Sequence, residues 1–145
     1  MKKSIKTIFL LISIFVLVLY FAYHYFFSGT DIDVRETPSI TQINADLLVK
    51  TYVEDEEKAD SAYTNKVFDV VGKITEVSFL NNRNTLILQG NDPNSGVICD
   101  MDPLQHAIIA KLSKGDKVRI KGVCKGFLKD VIMLNCILIS NVANE

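Results

Sequence analysis

The sequence predicts a mainly β domain with flanking helices, its five short strands closing into a barrel, behind one N-terminal apolar helix. Three observations predict it. Residues 7–30 hold no formal charge, so all 16 Lys/Arg and 17 Asp/Glu lie elsewhere in the 145-residue chain. From residue 45 to residue 63 apolar residues recur with a helical period. From Lys66 onward the period shortens to the alternation of strands, broken by Asn-, Asp- and Gly-rich turns. With 48% hydrophobic and 23% charged residues, the composition excludes disorder, a collagen-like repeat and a multidomain enzyme. Lys2, Lys3 and Lys6 precede the uncharged stretch, which leaves 13 Lys/Arg against 17 Asp/Glu from Ser28 onward. That part is mildly acidic and long enough for one core of its own.

Residues 8–27 read IFLLISIFVLVLYFAYHYFF. Twenty helical residues rise roughly 30 Å, the thickness of a bilayer's hydrocarbon layer. The lysines lie before this run and the nearest charge after it is Asp31, so the positive-inside rule predicts a cytoplasmic residue 1–7 end and an exported remainder. Tyr20, Tyr23 and Tyr25 would form an interfacial belt with Phe26 and Phe27, and His24 would sit in it as a neutral side chain. A cleaved signal peptide is the competing reading. Its apolar region is shorter and ends in small residues, whereas Tyr-Phe-Phe stands here, so an uncleaved signal anchor is expected. Residues 28–43 are polar, contain Pro38 and show no period; they read as a flexible tether.

In the next segment Ala45, Leu48, Val49, Tyr52 and Val53 fall on one helix face, with Asn44 as N-cap and Ile43 placed to staple against Leu48. Ala59 and Tyr63 continue the stripe, and the acidic run 54–57 either forms a solvated face or divides two short helices. KVFDVVGKITEVSF, TLILQG and VICDM then read as three strands separated by NNRN and NDPNSG turns. In the first of them, Phe68, Val70 and Ile74 take one face, and Asp69, Lys73 and Thr75 the other. Asp102 and Pro103 open a short helix as N-cap and first residue, and Lys114-Gly115-Asp116 closes it. KVRIKGVC and VIMLNCILI supply two more strands, joined by a turn in residues 125–130.

Five strands with a helix between the third and the fourth is the order of the OB-fold, a small Greek-key barrel. In the last strand alternation places Ile132, Leu134, Cys136 and Leu138 on one face, and Val131, Met133, Ile137 and Ile139 make the other apolar too. Such a strand needs a second layer. The helix of residues 45–63 is expected to pack outside the barrel as that layer. The domain is thus expected over residues 44–140, with 141–145 as a tail.

The series A45-D-L-L, Y52, A59, Y63-x-N-K-V67, V71-G72-K-I, V97-x-C99, L112-x-K-G115-D-x-V118, G122-x-C124-x-G126, D130-V and L134-x-C136 resembles the tRNA_anti-like family of OB-fold proteins. The resemblance covers roughly residues 44–139 and leaves the apolar segment outside. It implies the fold, named for likeness to an anticodon-binding OB domain, and implies no activity.

Single-strand binding by an OB-fold combines a basic groove with aromatic platforms on the second and third strands. TLILQG and VICDM contain no aromatic residue. Lys117, Arg119 and Lys121 form a same-face row on the fourth strand, extended by Lys125, and are the candidate ligand-binding residues. Residues 66–145 hold 10 bases against 8 acids, hardly a basic domain, and the bland reading of the row is a solvated strand face. Asp100, Asp102 and His106 have loose metal-ligand spacing, but Asp102 is better used as a helix cap, so no metal is expected. No P-loop, G-x-S-x-G or H-E-x-x-H occurs, and the expectation is a protein without catalysis or cofactor. Cys99, Cys124 and Cys136 lie among apolar strand residues; an exported domain permits a Cys99–Cys136 disulfide, with three buried thiols as the default. The functional expectation is a membrane-anchored extracytoplasmic binding or assembly module. Its partner is a protein or envelope ligand held by the barrel face and the loops of residues 81–84 and 91–96, with nucleic acid as the alternative.

Overall fold

The computed structural model describes residues 2–27 and 32–141, and within the first helix it describes the side chains of residues 11–25. The chain divides into two compact units, Met1–Asp31 and Ile32–Glu145.

The first unit is one helix, α1 (Lys2–Phe27). All its described side chains are exposed, so residues 11–25 have no buried stripe. Among the described residues no helix is long and apolar enough to cross a membrane. The segment expected to span, residues 8–27, lies partly outside the described side chains.

The second unit begins with β1 (Gln42–Asn44), α2 (Ala45–Glu54) and α3 (Glu56–Tyr63). Then come β2 (Val67–Leu80), β3 (Arg83–Asp92) and β4 (Ser95–Met101). A 3₁₀ turn (Pro103–Gln105), α4 (His106–Ile109), β5 (Lys117–Phe127) and β6 (Val131–Asn141) complete it. Asp55 breaks the helical stripe, at φ −157°, and caps α3 by accepting from the Lys58 N–H at 3.0 Å. Asp102 caps the 3₁₀ turn through the Leu104 N–H at 2.8 Å, with Pro103 first, so the expected helix forms but is short.

The five long strands close in the order β2-β3-β4-β6-β5 and back to β2, and β1 adds a short parallel edge beside β2. β4 and β6 run parallel, and every other pair in the barrel is antiparallel. Closure depends on β2. Its first half pairs with β5 and its second half with β3, and a bulge between Ile74 and Glu76 makes the corner. This is the expected five-stranded OB-fold barrel, with α4 between the third and fourth barrel strands.

Three details differ from the sequence reading. First, β6 does not alternate throughout. Asn135 has φ +53°, and the register with β4 shifts there. One extra residue flips the pattern, so Val131 and Met133 share the core face with Cys136, which alternation had placed on the opposite face. Second, α2 does not serve as a layer over β6. Its Leu48, Val49 and Tyr52 join the same core as Leu86, Leu88 and Val97, and it meets β3 more than any other element. Tyr52 stacks on Phe127 at 5.6 Å and touches Tyr63 at 6.3 Å. The helix therefore closes the barrel mouth near Gly90, while Ile109 of α4 enters the core from the end near Asn84.

Third, the outer layer over β6 comes from the expected tether. Val34 is 4% exposed and packs with Ile32 against Val67, Val123 and Ile137. Ile40 N–H donates to the Val67 carbonyl and Asp69 N–H to that of Thr41, which continue the strap into β1. Residues 32–43 are thus held to the barrel, and the domain starts at Ile32 instead of residue 44. Residues 28–31 of the tether and 142–145 of the tail lie outside the described residues.

Candidate binding groove

Bringing the basic row into three dimensions divides it. On β5, Arg119 is half-buried and both its Nε (2.7 Å) and Nη2 (2.5 Å) donate to Oδ2 of Asp69. Asp69 is 3% exposed and also accepts from the Ser39 hydroxyl. It was expected on the solvent face of its strand, but the strap covers that face. Arg119 is consequently a structural cation. Lys121 stands across from Asp69 in the β2–β5 register. Lys125 donates to Oδ1 of Asn65 at 3.0 Å. Lys117, the first of the four expected binding residues, is exposed at the start of β5, Lys121 is half-buried and Lys125 is exposed.

Two lysines outside the row join it. Lys73 lies opposite Lys117 on β2. Gly115, at φ +102°, turns the chain so that its N–H reaches the Ile74 carbonyl at 2.8 Å, while Ile74 N–H donates to Asp116 at 2.8 Å. That turn lodges Lys114 and Lys117 beside Lys73, whose Cε is 3.9 Å from where a Cβ on Gly115 would stand. Like charges opposite one another are mildly unfavourable in a sheet, and an anion would relieve them.

The lysines line two adjoining grooves. One, of 470 Å³, includes Lys73, Lys117, Asn44, Asp46, Gln89 and Asn91. The other, of 440 Å³, includes Thr75, Ile87, Gln89, Asn94, Lys114 and Asp130. Gln89 and Gly90 belong to both. A Cβ at Gly90 would stand 2.2 Å from the Ser95 carbonyl oxygen, so the turn after β3 closes this tightly only over glycine. Carboxylates are present too, though two are engaged. Asp130 accepts from Gly96 N–H at 2.7 Å. Asp92 accepts from Asn94 N–H and the Ser95 hydroxyl, and those bonds hold its carboxyl below the usual range. Asp46 stays open. No aromatic side chain lines either groove.

Sequence reasoning missed Lys73 and Lys114 because they lie on different elements from Lys117. Only the Gly115 turn chemistry marked the place. It also missed the exposed ring of Phe79, which meets His106 at 4.8 Å with the rings tilted by 44°, the histidine's Nδ1 being 2.8 Å from Oδ1 of Asn84. His106 therefore faces Asn84 and Phe79. Asp100 pairs with Arg83, and Asp102 with Arg35 at 2.6 Å. Among the described residues no His, Cys, Asp and Glu group could hold a metal ion.

The three thiols are free and buried. Cys99 is level with Met133, and Cys136 with Met101, so the two are offset along neighbouring strands and unbridged, unlike the disulfide considered from sequence. Burial, followed by contact with Cys99, pushes the Cys136 thiol well up. Burial also raises Cys124, whose Sγ is 3.3 Å from the Tyr52 hydroxyl. Inert thiols are what this environment produces.

A closed five-stranded barrel, capped at both ends and bearing a polar, lysine-edged groove, defines a small OB-fold domain. The chain belongs to the tRNA_anti-like family, whose pattern matches residues 1–138. The match starts at the first residue, so α1 is inside the family pattern and not outside it. Among solved structures the chain is similar to a candidate nucleic acid-binding lipoprotein from Klebsiella pneumoniae, at 15% identity and TM-score 0.55, over 68% of this chain and 92% of that one. Weaker likenesses include an OBody bound to hen egg-white lysozyme, at 12% identity and TM-score 0.43, over 55% of this chain and 87% of that one. Another is asparaginyl-tRNA synthetase from Pyrococcus horikoshii, at 13% identity and TM-score 0.42, over 55% of this chain and 21% of that one. At these identities the likeness concerns the fold. No curated protein matches.

Proposed function

We propose that this chain is a non-catalytic OB-fold module, held at a membrane by α1 with the barrel outside the cytoplasm, that binds single-stranded nucleic acid along its lysine-edged groove. The observation that carries the ligand class is the convergence of Lys73, Lys114 and Lys117 around Gly115, with Asp92 already bonded within its turn and Asp130 to the Gly96 N–H. Three ammonium groups beside amide side chains suit a phosphodiester backbone. The absence of aromatic lining predicts contact with backbone and not with stacked bases. The Klebsiella neighbour, named both a nucleic acid binder and a lipoprotein, supports the same combination. Membrane attachment is supported by the uncharged run of residues 7–30, by the helical form of its residues 7–27, and by its inclusion in the family pattern.

The test is titration of the full chain in detergent with a fluorescent single-stranded oligonucleotide at rising salt. Three phosphate contacts predict a slope of about −2 in log K against log salt, at roughly 0.7 per contact. Lys73→Ala, Lys114→Ala and Lys117→Ala should each remove about one contact's worth of slope. A flat, weak response at low salt sinks the reading.

One observation favours a second reading. Ile87, Ile98 and Ile132 stand level across β3, β4 and β6 on the outer face of the barrel, all half-buried. An aliphatic row with no aromatic residue suits an extended protein segment, and Ile98→Lys would abolish binding of that kind while leaving oligonucleotide affinity intact.

A further inference from the structure

The free reach between α1 and the barrel is short. α1 ends at Phe27 and the domain begins at Ile32, with Val34 already buried and Arg35 bonded to Asp102. Five peptide steps extend to at most roughly 18 Å, against more than roughly 50 Å for the tether of residues 28–43 that the sequence suggested. So few residues allow the barrel to move no farther than that shorter reach from the end of the anchor, within reach of a headgroup layer about 5–8 Å thick.

The place where the chain enters the domain selects the part of the barrel's surface nearest that layer. Ile32 and Arg35 line a groove of 410 Å³ with Arg83 and Pro103, at the end of the barrel where the β2–β3 hairpin turns. That end carries large exposed apolar side chains: Phe79 at 57%, Leu80 at 69% and Leu104 at 85%. Leu80 and Leu104 are open, and Phe79 is covered on one side only, by His106. Asn81 and Asn82, at φ +50° and +62°, form the tight two-residue turn that projects Phe79 and Leu80 outward.

We infer that this end, with Phe79, Leu80 and Leu104 at its tip, rests in the interfacial layer of the phospholipid surface next to the anchor. The inference rests on the membrane reading above. Arg35 and Arg83 border the patch, but each is paired with an aspartate. The patch is therefore close to neutral, and its attachment is apolar burial beside an anchor that already holds it near. The ligand groove lies toward the other end of β3. Six residues separate Arg83 from Gln89, roughly 20 Å of strand, so the groove stays open while the hairpin end is seated.

The test uses the full chain in phosphatidylcholine vesicles, with an environment-sensitive label on Leu104→Cys or, as the distant control, on Asn91→Cys. The native thiols are buried and do not compete. Flotation with the vesicles after alkaline washing reports the anchor. Quenching by lipid-borne nitroxide reports the seating. The expected result is co-flotation with quenching several-fold stronger at position 104 than at 91, unchanged when part of the lipid is anionic or salt is raised. Co-flotation with equal or absent quenching overturns the inference and leaves the anchor standing. Loss of flotation overturns both. A label at Leu80→Cys repeats the measurement should the first variant fail to fold.

Discussion

Arg119 donates to the carboxylate of Asp69 from two of its nitrogens, across the β2–β5 pair and beneath the strap that carries Ser39. The relationship explains why a residue in a basic row is unavailable to a ligand: it balances a buried charge.

Removing Arg119 should therefore damage the fold and not the binding. Arg119→Ala leaves the carboxylate buried without its cation and should cost about 2–4 kcal/mol, less than a fully buried pair because Arg119 itself is partly exposed. Lys121→Ala, one turn of the pleat away, should stay within about 0.5 kcal/mol. Equilibrium unfolding in urea separates the two, and equal effects would contradict the assignment.

The strap should behave as part of the core. Val34→Asp places an unpaired charge among Val67, Val123 and Ile137 and should cost about 2–4 kcal/mol. The same change at exposed Ile40 should be nearly silent. If both are silent by thermal unfolding, the strap is dispensable and the domain does begin near residue 44.

Acid should loosen the strap's latch. The Arg35 guanidinium, then the Leu104 N–H, hold the Asp102 carboxyl below its usual range. An unfolded aspartate titrates near about 3.9, so the latch contributes fully above that value and is lost as pH falls through the lower folded one. Asp102→Asn should remove part of the stability at neutral pH and flatten its decline below about pH 4. Urea midpoints across that range decide it; an acid limb identical in variant and parent would count against the latch.

Much of the fold was legible because its signals are local. Asp102-Pro103 is a capping pair that works over three residues, Asp55 breaks a helix by its own side chain, and the alternation from Lys66 needs only neighbours on one strand. The candidate site was less legible. Lys117 was found from its strand, whereas Lys73 and Lys114 approach it only when β5 pairs with β2 and Gly115 reverses the chain.

By itself the sequence determined the apolar helix, the order of five strands with a helix between the third and fourth, and the family resemblance. Each follows from composition or from a period read along a few turns of chain. Tertiary structure alone decided three things that couple distant residues. It turned residues 32–43 from a tether into a strap, because Val34 finds an apolar groove made by three strands. It moved the inward face of β6 at Asn135, since a bulge shifts register only against a partner strand. It also withdrew Arg119 from the surface, because burying Asp69 requires a cation within hydrogen-bond reach, and only barrel closure puts the two side by side.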